Sequence, residues 1–140
     1  MSSDVKRAYA LLLEKDLTLV ITNGTDTFES RERGVAPLLS FLASGEIPKG
    51  CVAADRVVGK AAAFLYVLLG VRAVHARVVS VHAIEVFRHY DISWSAEEQV
   101  EAIRNRAGTG FCPMESAVRD VTDAAAVPRI LRNALEKLKK

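Results

Sequence analysis

Residues 51–95, CVAADRVVGKAAAFLYVLLGVRAVHARVVSVHAIEVFRHYDISWS, decide the fold. Cys51 to Val58 reads as an apolar strand interrupted by Asp55-Arg56, and Gly59-Lys60 leads into an Ala- and Leu-rich helix over Ala61 to Leu69 that Gly70 ends. Ala73 to Val79 reads as a β-branched strand, Val81 to Tyr90 as a short helix and Ile92 to Ser95 as a brief last strand. Strands separated by single helices pair in parallel through crossovers, which puts helices on the faces of the sheet.

Upstream of this block, Ser3 or Asp4 can cap a first helix running to about Lys15, with Val5, Tyr9, Leu12 and Leu13 at helical spacing. Leu17 to Thr22 reads as a strand. Asn23-Gly24 then reads as a two-residue type I′ turn, which needs positive φ at both positions, into a return strand at about Thr25 to Arg31. Gly34 opens a helix carrying Val35, Leu38, Leu39 and Leu42, Gly45 terminates it, and Pro48-Lys49-Gly50 is a turn. Downstream, Ala96 to Ile103 reads as helical, Arg104 to Phe111 as a polar glycine-containing loop and Pro113 to Val121 as a helix. Val127 to Leu138 is a final amphipathic helix with Val127, Leu131, Leu135 and Leu138 on one stripe. The expectation is an α/β protein: a three-layer α/β/α sandwich around a mixed five-stranded sheet, in one domain over residues 1–140.

Composition narrows the function classes. The 140 residues are 50% hydrophobic and 26% charged, the profile of a folded domain that needs no disulfide or metal to hold it. A net charge of +2, with no basic stripe interleaved with aromatics, argues against a nucleic-acid partner. The longest apolar run, Ala61 to Val71, is eleven residues, well short of the roughly 20 that span a bilayer. No signal peptide is recognisable, so a cytoplasmic location is expected, with Cys51 and Cys112 reduced.

The element order and one stretch resemble cytidine-deaminase-like domains. Those enzymes open one helix with His-Ala-Glu and the next with Ser-Pro-Cys-x-x-Cys. Here Gly59-Lys60-Ala61 stands at the first position, and Ser80-Val81-His82-Ala83-Ile84-Glu85 at the second. The whole chain also looks like a small family of uncharacterised bacterial and archaeal proteins, a domain of unknown function assigned a deaminase-like fold. The stretches Ala54 to Ala63 and Asn105 to Glu115 carry that likeness. The resemblance implies the fold, but the departures remove the mechanism. Deaminases hold zinc with one His or Cys and two Cys, and a Glu two residues after the first ligand moves the proton. Gly59-Lys60-Ala61 supplies neither imidazole nor carboxylate, and His82 and Glu85, at the two cysteine positions, are too few for a tetrahedral site. No metal or cofactor is expected. His82 and Glu85 read instead as ordinary residues at a helix start.

Two groups of residues remain as a candidate site. Gly59 and Lys60 stand at a strand-to-helix junction, where unpaired N–H groups and the helix dipole favour an anion; the bland alternative is a tight turn with a solvated lysine. Asp55, inside an apolar strand, requires a partner, of which Arg56 or a nearby lysine is the simplest. The second group is Asn105, Arg106, Gly108, Thr109, Gly110, Cys112 and Glu115, where two glycines flank a threonine and Pro113 suits the first position of a helix capped by Cys112. A thiol at a helix start is activated by the unpaired N–H groups, making Cys112 the candidate catalytic residue. Glu115 in the first turn complements the dipole but opposes a second anion. The leading reading is a pocket for a small anionic, phosphate-bearing or nucleotide-like ligand. The alternatives are a non-catalytic interaction module forming a homodimer, through the last helix or a sheet edge, and a thiol enzyme using Cys112. His75 reads as an edge or core histidine and Trp94 as a core anchor.

Overall fold

Five strands form one mixed sheet in the computed structural model, which describes residues 1–105, 108 and 110–139. The chain runs α1 (Ser3–Glu14), β1 (Leu19–Thr22), β2 (Thr27–Ser30), α2 (Ala36–Ser44), β3 (Val52–Val58) and α3 (Lys60–Leu69). It continues through β4 (Ala73–Ser80), α4 (Val81–His89), β5 (Ser93–Val100), α5 (Pro113–Ala117), a 3-10 turn at Ala124–Ala126 and α6 (Val127–Leu138). Strand order is β2-β1-β3-β4-β5. β1 is antiparallel to both its neighbours, and β3, β4 and β5 are parallel, as their helical connections require.

The two faces of the sheet carry separate cores. On one, α1 alone covers Val20, Val52 and Ala54 with Val5, Ala8 and Leu12. On the other, α2 to α6 bury Ile21, Ala53, Val74 and Ala76 among Leu38, Phe64, Leu65, Phe87, Met114 and Leu131. β3 is buried on both sides, which explains its unbroken apolar run from Val52 to Ala54. Gly70 ends α3 in the left-handed region at φ 75°, where a Cβ would be strained, and its N–H bonds back to Tyr66 and Val67 carbonyls.

Several local expectations are corrected. The cap of α1 is Ser2, whose Oγ accepts from the Val5 N–H, and the buried stripe takes Ala8, leaving Leu13 at the surface. Asn23-Gly24 does not form a type I′ turn. Thr22 pairs with Thr27, so residues 23–26 make a four-residue loop in which Asn23 Oδ1 accepts from the Thr25 and Asp26 N–H groups at 2.9 and 2.7 Å. Only Gly24 there has positive φ; the asparagine side chain replaces the backbone turn. The strand read at Ile92 to Ser95 extends to Val100, and the helix read at Ala96 to Ile103 is absent. Ala96, Glu98, Gln99 and Val100 pair with Ala76, Val78, Val79 and Ser80, so ladder hydrogen bonds override the helix propensity of Ala-Glu-Glu-Gln. The helix expected to reach Val121 ends at Ala117, followed by single turns.

Replacing Asn23 by Ala removes an acceptor for two loop N–H groups. Urea unfolding is expected to show a loss of about 1–2 kcal/mol with an unchanged m-value, while Asn23→Asp, which keeps the acceptor, loses less.

Candidate functional site

α3 begins directly after β3, at the carboxyl end of the parallel strands, and Gly59 in the cap position offers no side chain to its first N–H groups. They find an anion, and it belongs to the chain. The Lys60 N–H donates to Glu115 Oε1 at 2.7 Å and the Ala61 N–H to Oε2 at 2.8 Å, a two-pronged grip on one carboxylate at the positive end of the helix. Gly59 is required here by space rather than by φ, which is −101°, because a Cβ at this position would overlap the Glu115 carboxylate. Lys60 is half-buried and held in place: its Nζ donates to the Arg119 carbonyl at 2.7 Å and lies 5.8 Å from the Phe64 ring centre. The start of α3 and the segment Glu115 to Arg119 are therefore tied by three hydrogen bonds, all donated from the start of α3.

Asp55 does not join this cluster. Its carboxylate is buried on the α3 face, accepting from Tyr66 Oη at 2.6 Å and from the Val57 N–H at 3.3 Å. The expected partner Arg56 points elsewhere, to the Leu17 carbonyl and the Asp16 carboxylate, because neighbouring residues of a strand face opposite sides of the sheet. Burial pushes the Asp55 carboxyl up to about 6, partly offset by the Tyr66 hydroxyl and the backbone N–H groups, and the same surroundings raise the Tyr66 phenol.

Within the loop, Asn105 and Gly110 meet backbone to backbone, the Gly108 N–H returns to the Asn105 carbonyl, and Arg104 bridges Phe111, over whose ring it also stacks. Arg106 and Thr109 lie outside the described residues. Cys112 caps α5 by position, with its N–H on the Ile103 carbonyl and no side-chain cap bond, and that helix is only five residues long. No described histidine hydrogen-bonds to Cys112. The thiol of Cys51 is fully buried, and burial raises its pKa. The structure thus brings together Gly59, Lys60 and Glu115, leaves Asp55 with Tyr66, and folds Asn105, Gly108 and Gly110 onto one another.

Zinc does not fit these residues. His82 and Glu85 are exposed on α4, a Glu115 carboxylate already fills the N–H groups of α3, and no three His, Cys, Asp or Glu side chains converge among the described residues. The partnership of Tyr66 with Asp55 left no sequence signal beyond helical phase. The pairing of Ser95 Oγ with His75 Nδ1 at 2.7 Å, across two neighbouring strands, left none.

A family model described as TM1506, Domain of unknown function (DUF1893), matches residues 7–135. The crystal structure of a DUF1893 family protein from Thermotoga maritima is similar to this chain, with 28% identity and a TM-score of 0.84, covering 98% of this chain and 92% of that one. No curated protein matches.

Two outcomes test the geometry. Gly59→Ala is expected to displace Glu115 and cost about 1–3 kcal/mol, and to cost much less in a Glu115→Ala background, a coupling read from a double-mutant cycle. Asp55, its folded pKa raised, adds stability that is fully present below the ordinary carboxylate pKa and is lost as pH rises through about 6. The stability of the wild type relative to Asp55→Asn should therefore fall by about 3 kcal/mol from pH ~4 to pH ~7, measured by denaturant unfolding across that range.

Proposed function

The chain belongs to the DUF1893 family, and from that premise we propose that it is a deaminase-like scaffold without zinc chemistry that binds a small anionic, phosphate-bearing or nucleotide-like ligand at the start of α3. The observation that carries this reading is the two-pronged grip on the Glu115 carboxylate. Two N–H groups pointing at two oxygens, at the carboxyl end of the parallel strands where open α/β sheets receive ligands, form an anion cradle whose occupant is internal. A free anion has to displace Glu115, which competes at the high effective concentration of a tethered group. The deaminase-like part of the reading is supported by the order helix, hairpin, helix, then three parallel strands joined by two helices. The reading includes a cytoplasmic location; among the described residues no helix is long and apolar enough to cross a membrane.

The second reading, an interaction module, draws on β5, a terminal strand of the sheet whose outer edge pairs with no described strand. The apolar stripe of α6 gives it less support, because Val127 and Leu131 are already buried in the protein's own core. The thiol-enzyme reading has less support, since no described histidine hydrogen-bonds to Cys112.

Thermal unfolding with and without inorganic phosphate or a nucleoside monophosphate separates these. Wild type is expected to shift little and Glu115→Ala clearly more, since removing the competitor opens the cradle while lowering the ligand-free Tm. No anion-dependent shift in Glu115→Ala at millimolar ligand overturns the binding reading in favour of the interaction module.

A further inference from the structure

β5 is eight residues long and none of them is buried, whereas most of β4 beside it is. It ends the sheet, and its outer edge pairs with no described strand. The Ser93 N–H bonds to the Arg72 carbonyl on the β4 side, so by alternation the backbone N–H and C=O groups of Trp94 and Ala96 turn outward. An edge of this length, about 26 Å, with no proline, glycine or lysine to interrupt it, is a template for one more strand. The opposite edge differs: β2 is four residues long, and Glu29 within it is tied to Lys15.

The side chains along β5 state what that strand would carry. Residues 91 to 101 contain four acidic side chains, Asp91, Glu97, Glu98 and Glu101, and no basic one, in a chain whose net charge is +2. None of the four joins an ion pair among the described residues. Glu97 has the Tyr9 hydroxyl and Arg77 near it, so the exposed Glu98 and Glu101 are the acids open to a partner. Pairing β5 antiparallel with a second copy of itself would bring these acids together, which like-charge repulsion disfavours; a strand bearing Lys or Arg meets them favourably. At the amino end of the edge, Phe87, Ile92 and Trp94 line a shallow hollow of about 390 Å³ together with Arg88 and Asp91. Trp94 is partly exposed there, a wall for one apolar side chain of an added strand.

We propose that β5 is a docking edge for an extended basic segment of a partner protein. The segment adds a sixth strand to the sheet, sets Lys or Arg side chains against Glu98 and Glu101, and places one apolar side chain in the hollow beside Trp94. In strand addition of this kind the backbone ladder supplies affinity and the side chains supply selectivity. Such docking rests on the interaction reading above and is independent of the α3 cradle.

Because Trp94 is the only tryptophan and stands at the edge, its fluorescence reports the docking. The probe is a capped ten-residue peptide alternating lysine and valine. Its comparisons are a peptide alternating glutamate and valine, and the lysine peptide with its backbone nitrogens methylated, which cannot build a ladder. The expected result is a saturable change with the lysine peptide, with a Kd of about 10–100 μM that weakens several-fold as salt is raised. Both comparison peptides should bind at least about tenfold more weakly. The variant Glu98→Lys/Glu101→Lys, its fold checked by circular dichroism, should reverse the preference and bind the glutamate peptide better, which a merely structural role for these acids would not produce. The proposal is overturned if the lysine peptide up to about 1 mM leaves the fluorescence unchanged, or if the methylated peptide binds equally well, since the contact is then charge without a strand. It is also overturned if light scattering shows that the protein alone is a dimer and that Ala96→Pro makes it a monomer, because the edge then belongs to a second copy. The cradle is read separately, by the phosphate-dependent Tm of Glu115→Ala, so the two failures are told apart.

Discussion

The first N–H groups of α3 have to be paired, and the surrounding structure is arranged around how that is done. A helix that starts on glycine, at the carboxyl end of a strand buried on both faces, has no side chain of its own to offer them. Glu115 arrives from a segment more than fifty residues later to supply both acceptors, and Lys60 Nζ donates a third bond to the Arg119 carbonyl. This clasp fastens the segment from α5 onward against the start of α3, and Met114, Val118, Ala124, Val127 and Leu131 then complete the core over that helix. The grip is an internal version of what helix starts do with phosphates and carboxylates elsewhere.

Each face of the sheet also buries a polar pair that joins a strand residue to a partner. Under α3 it is Asp55 with Tyr66, and under α1 it is His75 with Ser95. Both join a strand residue to a partner brought close only by folding, and each leaves a group at odds with its surroundings: a carboxyl pushed up to about 6 in one case, an unpartnered ring nitrogen in the other. Such pairs contribute little net stability, because desolvation offsets most of the hydrogen-bond energy, but removing one partner alone leaves an expensive orphan. Asp55 lies within a closed core, whereas the Ser95 half of the second pair reaches a cleft.

The two ends of the parallel strands consequently differ in character. The carboxyl end is closed by the chain's own anion, and the amino end borders a half-open cleft between the start of α1 and the first residues of β4 and β5.

What the sequence determined by itself are the features written within one or two helical turns. Gly45 and Gly70 mark helix ends through left-handed caps, Val127 to Leu138 is delimited by its stripe, and the alternation over residues 51–95 fixes three parallel strands joined by two helices. The asparagine of the hairpin was legible as a turn residue, though its side chain and not its backbone makes the turn. Tertiary structure alone decided the rest. Ala96 to Val100 is a strand because β4 offers it a ladder, against its local preference for helix. Asp55 takes Tyr66 and not the adjacent Arg56, since strand geometry turns neighbours to opposite faces. Gly59, Lys60 and Glu115 were each recognisable as residues of an anion site, but that the acid would occupy the cradle depends on a contact spanning 55 positions. Local signals record backbone torsion and the burial of one face. Which donor meets which acceptor is decided by packing, where partners distant in sequence are brought within hydrogen-bonding distance.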